Sequence, residues 1–151
     1  MTKFTKISLA VVLITFITTS LAQAAFNIPS YVYKINQLGS AKKAAKSSKK
    51  PIAFILSDKN TDCGLATAAS NDLFKGLKNH CIIVYVQSGK DWKKLPPIVQ
   101  SGMNSSASGQ YIPKTVVVNS SLKNTVCIIP YAKTKQRKSL IKQAQSLISR
   151  S

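Results

Sequence analysis

The sequence predicts an α/β domain, a central mixed sheet of four to five strands with helices packed on both faces. Three observations predict it. Short apolar runs of strand length recur: "IAFILS" (52–57), "CIIVYV" (81–86), "KTVVVN" (114–119) and "TVCIIPY" (125–131), rich in the β-branched residues that fit a pleated core. Helical stretches with an apolar stripe alternate with them. The connections 58–80 and 87–113 are long enough to cross over a sheet and lay strands in parallel, whereas "SSLKN" (120–124) has the length of a hairpin turn.

Taken in order, "FNIPS" (26–30) is an extended segment containing a proline. Residues 31–48 have helical character, with Tyr31, Ile35 and Leu38 on one face and an Ala-Lys run carrying it on. Gly39-Ser40 offers a break within it, and Pro51 stops it. Residues 64–78 form an amphipathic helix whose stripe is Leu65, Ala66, Ala69, Leu73, Phe74 and Leu77, with Asp62 or Thr61 as the expected cap. After the second strand, "SGKDWKKLPPIVQSGM" reads as a turn and a short helix interrupted by Pro96-Pro97, and "NSSASGQ" as a loop. The tail, 134–149, is an amphipathic helix with Leu140, Ile141, Ala144, Leu147 and Ile148 on its apolar face. Lys135, Arg137, Lys138 and Lys142 fall on the other side. The sequence shows no internal repeat.

The first 24 residues do not belong to this domain. Lys3 and Lys6 precede an apolar stretch of 15 residues, "ISLAVVLITFITTSL", and Ala22 and Ala24 stand at the spacing a signal peptidase reads. That order is the pattern of a secretory signal, with cleavage expected after Ala24. An uncleaved anchor would want about 20 apolar residues to span the hydrocarbon. The expected organisation is therefore a signal peptide at 1–24 and one domain at 25–151, in a periplasmic or secreted protein.

The charge is lopsided: 22 Lys and Arg against 4 Asp, with no Glu. Without Lys3 and Lys6, 20 basic side chains face 4 acidic ones, about +16. Such a field attracts anions. Only Arg137 and Arg150 carry the guanidinium fork suited to bidentate phosphate recognition, so the charge predicts diffuse attraction rather than a specific nucleic-acid site.

Several chemistries lack their residues. His80 is the single histidine and lies just before a strand, a poor position for a catalytic triad. Cys63, His80, Cys81 and Cys127 lack the paired spacing of a zinc site, and there is no Gly-rich phosphate loop. Trp92 and Tyr111 are too few aromatics for a single-strand platform. No metal and no cofactor is expected. What remains is Cys63, ahead of a helix, in a chain with an odd number of cysteines; outside the cytoplasm an odd count leaves at least one thiol unpaired or paired between molecules.

Four segments resemble the thioredoxin-like superfamily. "AKKAAKSSKKPIAFIL" (41–56) is similar to the lead-in of periplasmic thioredoxin-like domains. "DCGLA" (62–66) resembles the active-site "WCGPC", with Cys63 at the nucleophile's position. "YIPKTVVVNSSLKN" (111–124) resembles the segment where an Ile-Pro bond is cis and a hairpin follows, and the tail helix stands in its expected place. The resemblance spans roughly 40–149. The sequence departs from the pattern at Asp62 for the Trp, Ala66 for the second Cys and Lys114 for a Thr.

The resemblance implies that Cys63 sits where a strand's carboxyl end meets a helix's amino end. Backbone N–H groups there, those of Gly64 and Leu65 first, favour an anion and raise the thiolate fraction. Lys59 adds to this and Asp62 opposes it. Ile112 and Pro113 face the thiol and present a docking edge to an extended peptide. With Ala66 in place of a resolving thiol, a mixed disulfide has no internal route to release, so a site that caps or reshuffles disulfides is implied, or a scaffold kept for binding. Family sheet order puts Cys81 and Cys127 about three strands, roughly 14 Å, apart, beyond disulfide reach, and both are expected as small core residues. The expected partners are cysteine-containing or acidic envelope proteins, with contact to anionic surfaces. No transmembrane anchor is expected after cleavage. The alternative is a non-catalytic basic accessory protein on the same scaffold.

Overall fold

The computed structural model describes residues 26–151, so the expected signal peptide at 1–24 lies outside the described residues. Along the chain run β1 (Tyr33–Lys34), α1 (Leu38–Ser48), β2 (Ile52–Ser57), α2 (Gly64–Leu77), β3 (Ile82–Gln87), α3 (Pro97–Asn104), β4 (Lys114–Val118), β5 (Thr125–Ile129) and α4 (Thr134–Ile148). Single 3-10 turns at Ile35–Gln37, Trp92–Lys94 and Ser106–Ser108 join them.

Among the described residues the strands form one five-stranded sheet in the order β1-β3-β2-β4-β5. β3 runs parallel to both β1 and β2, with Phe54 opposite Val84, while β4 is antiparallel to β2 and to β5. The central position of β2 explains its unbroken apolar sequence, since every residue from Ile52 to Ser57 is buried. Alternate side chains divide between two cores. Ala53, Ile55, Ile83 and Val117 pack under Leu73, Phe74 and Leu77 of α2 and Ile141 and Ala144 of α4. Ile52, Phe54, Val84 and Val116 pack under Ala41 and Ala45 of α1 and Val99 and Met103 of α3. Burying a side chain such as Phe54 completely contributes about 1.5–3 kcal/mol. A β-α-β unit followed by an antiparallel hairpin and a closing helix, with helices on both faces, is a thioredoxin-like fold.

Five local expectations are corrected. Residues 31–34 are not helical: Val32 N–H closes a turn on the Pro29 carbonyl at 3.0 Å, β1 follows, and the Gln37 side chain, at the end of the 3-10 turn Ile35–Gln37, accepts the Lys34 N–H at 2.9 Å. The helix starts only at Leu38 and runs through Gly39-Ser40 without a break, to end at Lys49 in a left-handed conformation (φ 54°). Pro96-Pro97 does not interrupt a helix but begins α3, since Pro97 at the first helical position lacks only an N–H that would have no intrahelical partner. The cap of α2 is neither Asp62 nor Thr61. Cys63 occupies the cap position without a side-chain cap bond, and the Thr61 hydroxyl instead accepts the Cys63 N–H at 3.1 Å. On α4, Arg137 is buried rather than on the solvent side, and Leu147 is half-exposed rather than part of the apolar face.

Candidate functional site

The loop from Asp58 to Cys63 leaves the carboxyl end of central β2. The Asp58 carbonyl accepts the Thr61 N–H at 3.3 Å, and its carboxylate accepts the Asn60 N–H at 2.9 Å. Buried Ser57 and Ser70 hydroxyls meet at 2.7 Å, and Ser70 also donates to the Ala66 carbonyl at 2.9 Å. The Ser57–Ser70 bond ties the second turn of α2 to the end of β2 and so holds the helix whose amino end carries Cys63. The first helical bond runs from the Thr67 N–H to the Cys63 carbonyl at 3.0 Å. The three N–H groups before it have no partner within the helix and lie at its positive end.

Cys63 is exposed. With Ala66, Tyr111, Ile112 and Tyr131 it lines a cleft of about 290 Å³ whose walls are almost wholly apolar. The Ile112–Pro113 peptide is cis, and Pro113 is buried and does not line the cleft. Of the residues singled out in the sequence, the structure thus brings Cys63 and Ile112 into one cleft. Gly64, half-buried, and Leu65, 68% exposed, flank it at the start of α2 rather than line it. Lys59 does not join it; it lines another cleft, where its backbone N–H donates to the Tyr85 hydroxyl at 3.0 Å.

Sequence reasoning missed the two tyrosines as site residues. Their rings meet edge to face, with centroids 6.2 Å apart, and Tyr111 is 72% exposed. Tyr111 directly precedes the Ile-Pro pair, which is the signal that was available. Tyr131 becomes a neighbour only through the hairpin: Thr115 pairs with Ile129, which sets residue 131 across from residue 113. Lys114 turns away from the thiol. Its ammonium donates to the Met103 and Gly109 carbonyls, each at 3.0 Å, and so ties the 103–109 loop under the docking segment.

Cys81 and Cys127 belong to the α2/α4 side of the core. Cys81 stands just before β3, whose start pairs with the start of β2, so it lies at the end of the sheet opposite Cys63. Burial pushes its thiol up to about 12, with the nearby Cys127 adding to the effect. Burial also raises Cys127, to about 11. All three cysteines are free. Among the described residues no three His, Cys, Asp or Glu side chains gather in a way that could hold a metal ion, and no helix is long and apolar enough to cross a membrane.

No protein-family model matches the chain, and no curated protein matches it in sequence. Among solved structures, one described as DsbH oxidoreductase is similar to it at 16% identity with a TM-score of 0.46, over 86% of this chain and 91% of that one.

Proposed function

We propose that this chain is an exported thioredoxin-like protein that binds cysteine-containing peptides and holds them through a reversible disulfide to Cys63. The observation that carries the reading is the pairing of an exposed thiol at the amino end of α2 with an apolar cleft bordered by Ile112 and two tyrosines, where Ala66 stands in place of a second thiol. The Cys63 thiolate attacks one sulfur of a substrate disulfide. A new S–S bond forms, the old one breaks, and the other substrate sulfur departs as a thiolate and takes a proton from water. No electrons are gained or lost overall. Release needs an external thiol or a second cysteine of the substrate. The site therefore caps or reshuffles disulfides and is not a net oxidant or reductant by itself.

Incubation with oxidised glutathione followed by intact mass measurement tests this. The expected product is a single glutathione adduct mapped to Cys63, reversed by dithiothreitol and missing in Cys63→Ser. An unmodified Cys63 under conditions that modify a free cysteine peptide leaves the second reading, a non-catalytic accessory protein that meets acidic partners through its 20 described basic side chains. On that reading Cys63→Ala leaves binding unchanged and added salt weakens it steeply.

A further inference from the structure

The carboxyl ends of β1 and β3 open onto another cleft, of about 210 Å³. Four lysines line it: Lys34 at the end of β1, Lys59 in the loop after β2, and Lys90 and Lys94 in the connection after β3. They come from three separate segments, so the sheet gathers them and not a local run of charge. Among the described residues Lys34, Lys59 and Lys90 make no ion pair.

Asp91 is the one carboxylate on the wall, and it is already engaged. Lys94 donates to it at 2.9 Å and the Gln87 N–H at 3.1 Å. Burial works against its charge, yet these bonds and the charges of Lys94 and Lys90 hold it below the usual carboxylate value. Asp58 stands behind the wall and accepts from the Gln87 amide at 2.6 Å. The Tyr85 hydroxyl, which bonds Gln87, forms a neutral part of the lining, since burial pushes it up to about 12. The cleft is thus hydrogen-bonded at its base, and of the four lysines that line it only Lys94 is paired with a carboxylate.

We propose that the cleft ringed by Lys34, Lys59, Lys90 and Lys94 binds a compact phosphate-bearing anion, a phosphomonoester or diphosphate, either free or at the head of a lipid. Lysine ammonium groups bind phosphate oxygens as point charges and need no fixed fork geometry, and lysine is the only cationic residue type that lines this cleft. The volume lies below the usual range of about 300–1,000 Å³ for drug-sized ligands, which favours a small headgroup over a nucleotide. The carboxyl end of parallel strands is also where open α/β sheets hold their ligands.

Calorimetric titration with inorganic pyrophosphate at fixed ionic strength tests the proposal. Two variants remove the same charge: Lys34→Gln/Lys59→Gln/Lys90→Gln in the cleft and Lys135→Gln/Lys138→Gln/Lys142→Gln on α4. The cleft variant is expected to lose about tenfold or more in affinity, on the scale of three exposed ion pairs, and the α4 variant little. Co-sedimentation with phosphatidic acid vesicles, competed by pyrophosphate, identifies the source. Vesicle binding that only the cleft variant loses assigns the phosphate to a lipid, and pyrophosphate binding without vesicle binding assigns it to a soluble compound. Equal weakening by the two triple variants, or no saturable pyrophosphate binding by the unmutated protein, overturns the proposal. Cys63 takes no part in either readout, so the outcome is independent of the thiol reading.

Discussion

The Arg137 guanidinium closes on one carboxylate oxygen of Asp72, with Nε 2.9 Å and Nη2 2.7 Å from Oδ2, while Nη1 donates to the Ala132 carbonyl at 2.8 Å. The pair joins α4 to α2, the helix that carries Cys63. It is unequally buried: the Arg137 side chain is 6% exposed and that of Asp72 40%. Removing either partner therefore leaves a different problem. Asp72→Ala strands a buried cation and is expected to cost about 3 kcal/mol. Arg137→Met leaves a carboxylate that water can reach and is expected to cost about 2 kcal/mol. Urea unfolding of both variants checks the order, and a larger loss for Arg137→Met contradicts the unequal burial.

The central strands were legible because burial on both faces writes itself as an unbroken apolar run: "IAFILS" matches β2 residue for residue. The helix bearing Cys63 was legible through its stripe. Arg137 was not, because its partner lies 65 residues away and a charged residue on an amphipathic helix reads by default as solvated. β1 was lost because two residues carry no periodicity. At the candidate site, Cys63 and Ile112 stood out through the resemblance of the segments around them. Tyr131 reaches the cleft only through strand register, and the lysine cleft exists only once the end of β1 and the connections after β2 and β3 converge.

Two glycines are expected to respond oppositely to alanine. A Cβ on Gly76 would lie 2.6 Å from Cγ2 of Ile141, a branched core atom with little room to move. Gly76→Ala should cost about 1–3 kcal/mol through overpacking between α2 and α4. A Cβ on Gly39 meets nothing within 4 Å, and its backbone is already helical. Gly39→Ala should stabilise by about 0.5 kcal/mol. Paired thermal melts decide this, and a stabilised Gly76→Ala variant would mean that the two helices pack less closely than described.

The three thiols should separate by exposure. In the folded protein a colourless disulfide reagent with a chromogenic leaving group is expected to titrate one thiol rapidly, Cys63, and all three after denaturation. The buried pair also sets an alkaline limit. Cys81 and Cys127 are raised in the folded state, so their contribution to stability is fully present below about 9 and is lost as pH rises toward 11 and 12. Above pH 9 the unfolded chain releases these protons more readily than the native one, so stability falls. For Cys81 alone the slope approaches about 1.4 kcal/mol per pH unit. Urea unfolding at pH 8, 9 and 10 should show the decline, and Cys81→Ala should flatten it despite its own cavity cost. An unchanged slope would mean that the Cys81 thiol is reached by water.

Ala66 offers the sharpest test of the thiol site. It shares a cleft wall with Cys63, three residues further into the first turn of α2, and that cleft holds about 290 Å³. Ala66→Cys adds one sulfur without filling it. Attack by the new thiol on a mixed disulfide at Cys63 becomes intramolecular, with an effective concentration of about millimolar or higher, so release no longer waits for an external thiol. The expected outcome is that Ala66→Cys forms an internal disulfide under mild oxidation and accelerates insulin reduction by dithiothreitol. The unmutated protein gives only slow turnover in the same assay, and Cys63→Ser/Ala66→Cys gives none. A folded Ala66→Cys variant that forms no bridge would place the Cys63 sulfur out of reach of the first turn of α2 and contradict the shared cleft wall.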